Sequence, residues 1–250
     1  MNAGGQAVPL EARAPARGAL GAVRREAAKV LLICRKDLAI EWRRLDNLPA
    51  MFFFSLLVLV IFNFGFDFPA ADFLLLGPAV LWVTFTFAGV LAFSHAFALE
   101  RESDCMEGLK LAPVDSGTIY LGKLMASTLS ILIVEAAVLP LSALLFDYDL
   151  AACAGPLGLV VAVHTLGFAS NGTLLGALTA RTRRGDVLLP ILLFAVSVPL
   201  MFSAVATTAT ALAHAPLFAG AAGTWLVMAS VFDVIFITAG YLTFEYVIEE

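Results

Sequence analysis

The sequence predicts an all-α integral membrane protein of six transmembrane helices, preceded by a basic amphipathic helix lying in the membrane interface. Three observations carry this. First, 61% of the 250 residues are hydrophobic and only 14% are charged, against about 45–50% and about 25% in soluble domains. With a mean hydropathy of +0.93, an ordinary soluble globular protein is excluded. So is disorder over most of the length, which needs low hydrophobicity and high charge. Second, six stretches reach the roughly 20 mostly apolar residues that cross a hydrocarbon core of about 30 Å. They run about 49–66, 73–97, 116–146, 150–179, 187–206 and 224–247. Third, the cations alternate between loops. Nine of the 15 basic residues precede the first stretch (Arg13, Arg17, Arg24, Arg25, Lys29, Arg35, Lys36, Arg43 and Arg44). Arg101, Lys110 and Lys123 lie between the second and third stretches or at the foot of the third, and Arg181, Arg183 and Arg184 between the fourth and fifth. The other connections carry none, and two of them hold acids instead: Asp67 and Asp72, then Asp147 and Asp149. Basic loops mark the cytoplasmic side, so both termini are expected inside, and a miscount by one span would scramble the alternation.

Residues 1–21 are rich in Ala, Gly, Pro and Arg and read as a flexible cytoplasmic tail. They hold no apolar run followed by a small-residue cleavage site, so no cleaved signal is expected there. Over 22–48, Val23, Ala27, Val30, Leu31, Cys34, Leu38, Trp42 and Leu45 recur at helical spacing, with most of the cations on the other side. That is the pattern of an interfacial helix. It reads either as an elbow that helps hold a transporter subunit or as a generic anchor. Residues 49–250 form the six-span domain. Phe62, Phe64, Phe66 and Phe68 cluster near the outer end of the first span, Tyr148 and Trp225 near other outer ends, and Tyr241 and Tyr246 near the inner end of the sixth. Such belts support topology and say nothing of activity. The third and fourth spans are longer than a bilayer requires. Each is expected to protrude, tilt or break, and the glycines of the fourth favour a break. Pro190 and Pro199 predict kinks in the fifth. Gly172-x-x-x-Gly176-x-x-x-Ala180 places a small-residue stripe on the fourth span, permitting close helix approach within the chain or across a dimer.

The stretch between the second and third spans runs Glu100-Arg101-Glu102-Ser103-Asp104-Cys105-Met106-Glu107-Gly108-Leu109-Lys110-Leu111-Ala112-Pro113-Val114-Asp115. Ser103 or Asp104 can cap a short helix, with Glu107 completing a capping pair, and Pro113 stops it. Asp115 can cap the third span. The result is either a short helix at the inner surface, presenting Met106 and Leu109 among charges, or an ordinary polar loop. Just beyond it, Gly117-x-x-x-x-Gly122-Lys123 copies most of a phosphate-binding loop. Leu124 stands where magnesium coordination needs a hydroxyl, and no βα unit surrounds the segment, so this chain is not expected to hydrolyse ATP.

Glu135 in the third span and Asp233 in the sixth fall near mid-helix, where a charge costs about 2.5–3.5 kcal/mol on insertion scales. Each reads as part of a substrate path, a proton-coupled group or a subunit contact, or else as a neutral hydrogen-bonded carboxyl that packs one helix on another. His164 in the fourth span can ligate a metal or haem iron, or hydrogen-bond to a neighbouring helix. His95 lies near an inner end and His214 in an outer loop, and no two histidines have ligand spacing. No metal site and no intramembrane metalloprotease is therefore expected. Cys34, Cys105 and Cys153 stand far apart without a CxxC, which excludes a disulfide framework, a zinc cluster and a c-type haem attachment within this chain. The net charge of −5 gives no reason to expect a nucleic-acid partner.

The stretch ALERESDCMEGLKLAPVDSGTIYLGK resembles the pattern of type-2 ABC transporter permeases, and more narrowly that of the haem exporter protein B (CcmB) family of cytochrome c maturation. KDLAIEWRRLDNLPAMFFFSLLV, VEAAVLPLSALLF, GFASNGTLLGALTARTRRGDVLLPILLF and FDVIFITAGYLTFEYVIEE agree with that family. The likeness covers about residues 30–250. The 100–113 segment is shared in outline by many type-2 permeases, and the closing 232–250 segment is the more specific. No function is carried onto the N-terminal tail, which departs from the family's compact pattern.

The resemblance implies a six-span, type-2 ABC exporter-like permease of the bacterial cell inner membrane. It implies a homodimer working with two copies of an ATPase subunit, CcmA, on which ATP is hydrolysed. It also implies haem-handling partners, CcmC and CcmD, and delivery to the periplasmic chaperone CcmE. Haem is then a substrate rather than a cofactor bound by this chain. In such permeases the short helix between spans two and three couples to the ATPase. By position this role falls on Glu100, Arg101, Glu102, Met106, Glu107, Leu109 and Pro113. The tryptophan-rich haem-handling motif of CcmC is missing, since Trp42, Trp82 and Trp225 are isolated, so the main haem platform is not expected here. The reading is a permease subunit for haem export or haem-chaperone release in c-type cytochrome biogenesis. The alternatives are a type-2 permease for a lipid or drug, a non-transporting membrane assembly factor, and an intramembrane enzyme using Glu135, Asp233 and His164.

Overall fold

The computed structural model describes residues 17–44, 46–65, 70–102, 114–180, 182 and 185–249. Among these there are seven helices and no strand: α1 (Arg17–Arg44), α2 (Asn47–Gly65), α3 (Ala70–Glu102), α4 (Ser116–Phe146), α5 (Leu150–Ala180), α6 (Gly185–Leu212) and α7 (Gly220–Glu249). Helices α2 to α7 each contain an apolar stretch long enough to cross a membrane, six in all.

The bundle is built around α5, which packs against α3, α4, α6 and α7. Every residue from 167 to 174 on α5 is buried, in the sequence Gly-Phe-Ala-Ser-Asn-Gly-Thr-Leu. Small and hydroxyl-bearing residues let neighbouring backbones approach closely. In lipid that approach, together with interhelical hydrogen bonds, replaces the hydrophobic drive that holds a soluble core. The outside is correspondingly apolar: Phe53, Leu57, Ile61 and Phe64 of α2 and Val227, Val231 and Val234 of α7 are exposed.

The break foreseen in α5 does not occur, and its 31 residues form one helix. Gly167 and Gly172 serve close contacts instead of bends. A Cβ on Gly172 would strike the Phe93 ring of α3, and one on Gly167 would strike the Asp233 carboxylate of α7. Helix α4 is likewise continuous over 31 residues, and α6 carries both Pro190 and Pro199 inside one helix. Asp115 stands at the N-cap of α4 in extended conformation, but its side chain makes no capping bond. The acid that does cap is Asp149, whose carboxylate accepts the N–H groups of Ala151 (3.0 Å) and Ala152 (3.2 Å) at the start of α5.

Helix α1 begins at Arg17, inside the expected tail, and ends before α2 starts. It lies along α4. Its orientation divides the apolar stripe read from sequence between protein and the outer surface. Cys34 is 2% exposed, yet Leu31 and Trp42 are 61% and 64% exposed. The face turned to α4 carries Glu26, Ile33, Asp37 and Glu41, spaced by whole helical turns. Thr118 donates to Glu26 at 3.1 Å, and Lys123 lies 4.0 Å from Asp37. Ser130 donates to one oxygen of Glu41, and Asn47 donates to the other at 2.9 Å. At the membrane boundary, acids gain more from donors on α4 than apolar side chains do, because lipid serves the latter equally well. The Lys29 ammonium, with the Thr118 hydroxyl, holds the Glu26 carboxyl below its ordinary range. The glycines of the phosphate-loop lookalike are also explained. Gly117 makes room for the Tyr241 ring, and Gly122 for Ile33 of α1.

Candidate functional site

The polar side chains foreseen in the spans are enclosed: Glu135 is 2% exposed, His164 0% and Asp233 6%. They do not converge. Glu135 on α4 accepts a 2.7 Å hydrogen bond from Thr165 of α5. His164, the next residue back, faces α6 instead. Its Nδ1 lies 2.7 Å from the Val160 carbonyl, an acceptor only, so Nδ1 carries the proton. Its Nε2 lies 2.9 Å from Ser203 Oγ, and the same hydroxyl is 2.8 Å from the Trp225 carbonyl. The ring is thus set between the Val160 carbonyl and the Ser203 hydroxyl, away from Glu135 and Asp233. Asp233 rests against Gly167, and its Oδ1 has no hydrogen-bond partner. A general acid, base and nucleophile need mutual hydrogen-bond reach, and these three groups face three different partners.

One member of the His164 cluster was not legible in the sequence. Trp82 of α3 sets its ring 5.4 Å from that of His164, and its indole N–H donates to Thr208 of α6 at 2.8 Å. The contacts join residues 82, 164, 203 and 208, which no local spacing links. Asn171 of α5 donates to Ser197 of α6 at 3.1 Å. Its Oδ1 and the hydroxyl of Thr173 are, like Asp233 Oδ1, buried without partners. Leaving such a group unpaired costs about 1–3 kcal/mol, so polar atoms have been kept inside this bundle at a cost in stability. Among the described residues, no three His, Cys, Asp or Glu side chains are grouped to hold a metal ion.

The packing stripe lies in the centre of the bundle. Gly172 and Gly176 are both buried, and Gly172 admits an aromatic ring of α3. Of the segment expected to meet an ATPase, residues 100–102 (Glu100, Arg101 and Glu102) form the last turn of α3. Met106, Glu107, Leu109 and Pro113 lie outside the described residues.

Six helices long and apolar enough to cross a membrane, around a polar, cross-bonded interior, with a further helix fastened along α4, make an all-helical multi-pass membrane protein, an architecture consistent with a permease. The chain belongs to the CcmB protein family, whose model matches residues 28–244. That match begins within α1 and ends within α7, so it takes in every span. Heme exporter protein B of Bradyrhizobium diazoefficiens is 24% identical over 178 residues, which cover 70% of this chain and 79% of that relative.

Proposed function

We propose that this chain is the permease subunit of an ABC-type haem exporter serving c-type cytochrome maturation. The family match over residues 28–244 carries the reading, and the name of the Bradyrhizobium relative supports haem as the substrate. ATP is bound and hydrolysed on a separate, CcmA-like subunit. Two copies of the chain form the membrane core, with CcmC-, CcmD- and CcmE-like partners handling haem around it. The protein sits in the cell inner membrane with both termini in the cytoplasm. Residues 100–113 couple it to the ATPase, Met106 and Leu109 filling a groove while Glu100, Glu102 and Glu107 form a polar rim that sets orientation more than affinity. Arg101 belongs to the same rim, and Pro113 ends the helix.

The test is Met106→Ala with Leu109→Asp, followed by purification from membranes through a tag on this chain. Burying each apolar side chain contributes about 1.5–3 kcal/mol, so the double variant should weaken the ATPase complex by about two orders of magnitude or more. No spanning residue is touched, so insertion should be normal, while the ATPase and cytochrome c maturation are lost. A full complement of ATPase on the variant would return the segment to an ordinary loop. Co-purification of a haem chaperone separates this reading from a permease for a lipid or drug.

A further inference from the structure

A cavity of about 520 Å³ lies where α1, the end of α3 and the start of α4 meet, within the size range of about 300–1,000 Å³ typical of ligand pockets. Glu135, His164 and Asp233 do not line it. Each helix contributes one stripe. From α4 it comprises Lys123, Ala126, Ser127 and Ser130, at helical spacing.

The walls differ in chemistry. On one side Ala92, Phe93 and Ala126, all buried, make an apolar surface. On the other, α1 contributes Lys36, Arg43 and Arg44, while Lys123 stands on α4 one turn from Ala126. Three carboxylates share the lining: Asp37, Glu41 and Asp46. Glu41 is taken up by Ser130 and Asn47. Asp37 serves Lys36 at 2.8 Å and Lys123 at 4.0 Å. Four cations face three anions, which leaves one positive charge, and Arg43 and Arg44 are exposed. The level is that of the headgroups, because α1 exposes Leu31, Leu32 and Trp42 alongside Arg35, Lys36 and Arg43. An occupant that satisfies both walls has an apolar tail and a single negative charge. Basic pockets between membrane helices are suited to such head groups.

We propose that this cavity binds one anionic phospholipid of the leaflet in which α1 lies. Its phosphodiester lies against Arg43 and Arg44, and an acyl chain runs along Phe93 and Ala126. The lipid then wedges the end of α1 against α3 and α4. Nothing in this depends on which substrate the protein exports.

The full chain, purified and delipidated in detergent, is titrated with phosphatidylglycerol, phosphatidylcholine, inorganic phosphate or haem and read by native mass spectrometry. Two variants are compared. Arg43→Gln with Arg44→Gln removes the cations. Ser127→Trp fills the lumen without changing charge and decides the matter if the first fails to fold. One phosphatidylglycerol should bind with at least about tenfold preference over phosphatidylcholine, and each variant should weaken it by about tenfold or more. Equal binding of the two lipids, or unchanged binding in whichever variants fold, would overturn the proposal. Inorganic phosphate bound with the same dependence on the arginines would make the site a free-anion site instead. Haem displacing the lipid with that dependence, and with an absorbance change lost when His95, which also lines the cavity, is replaced in His95→Ala, would make the cavity a haem site.

Discussion

A hydroxyl of the neighbouring helix serves Glu135. Thr165 donates to its carboxylate across the α4–α5 contact, and both groups are buried. Thr165→Val removes the donor and leaves the carboxyl unpaired, which should cost about 1–3 kcal/mol in thermal unfolding of the detergent-solubilised protein, with Thr165→Ser close to native. An unchanged Tm for the valine variant would mean that Glu135 is satisfied elsewhere. Asp233 is a different case: Oδ1 is seated on Gly167 and accepts nothing. Asn has the same shape without ionisation. Asp233→Asn should therefore accumulate normally and sustain cytochrome c maturation, whereas normal accumulation with failed maturation would show that the charge itself is used. The burial of these acids was legible in the sequence, because a membrane makes any mid-span polar group conspicuous. Their partners were not. Thr165 and Ser203 are ordinary span residues until the helices are placed side by side.

At the scale of elements, α1 shows how far periodicity reaches. A helix over this segment followed directly from the spacing of its apolar residues, and the structure contains it. Which face meets the protein did not follow, because lipid and α4 compete for the same apolar side chains, while α4 adds polar partners for Glu26, Asp37 and Glu41 that lipid tails cannot supply. The fastening has a narrow point at Gly122, where a side chain would collide with Ile33. Gly122→Leu should lift α1. Cys34 reports this, since it is buried at 2% exposure and burial, with the nearby Asp37 charge, pushes its thiol above the ordinary range. Both effects suppress thiolate reactivity. Peptide-resolved maleimide labelling of Cys34 should rise by about tenfold or more in the variant, and equal labelling would show that α1 is held elsewhere along its length.

For the whole molecule, the alternation of basic and bare loops assigns sides. Reporter fusions after residues 68, 148 and 215 should report outside and those after 112, 183 and 250 inside. An inside signal at 148 would remove one span and overturn the arrangement. With that orientation, the Trp82–His164–Ser203 cluster lies in the outer half of the bundle. The cavity beneath α1 lies at the opposite, cytoplasmic end.

The sequence by itself determined the number of apolar spans, the helix before them and the family, because apolar length, charge alternation and motif order are all written along the chain. Tertiary structure alone decided what the unusual residues are for. Gly122 and Lys123, which look like a phosphate loop, face Ile33 and Asp37 of α1. Gly172 and Gly167 of α5, in the span whose glycines look like a break, receive Phe93 and Asp233. His164, which looks like a ligand, sets its ring nitrogens against the Val160 carbonyl and the Ser203 hydroxyl. The physical reason is the same in each case. Apolar side chains are served by lipid as well as by protein, so hydrophobic pattern says that a helix spans but not which neighbour it meets. That choice falls to close contacts and hydrogen bonds between residues far apart in the chain, which exist only once the helices have assembled.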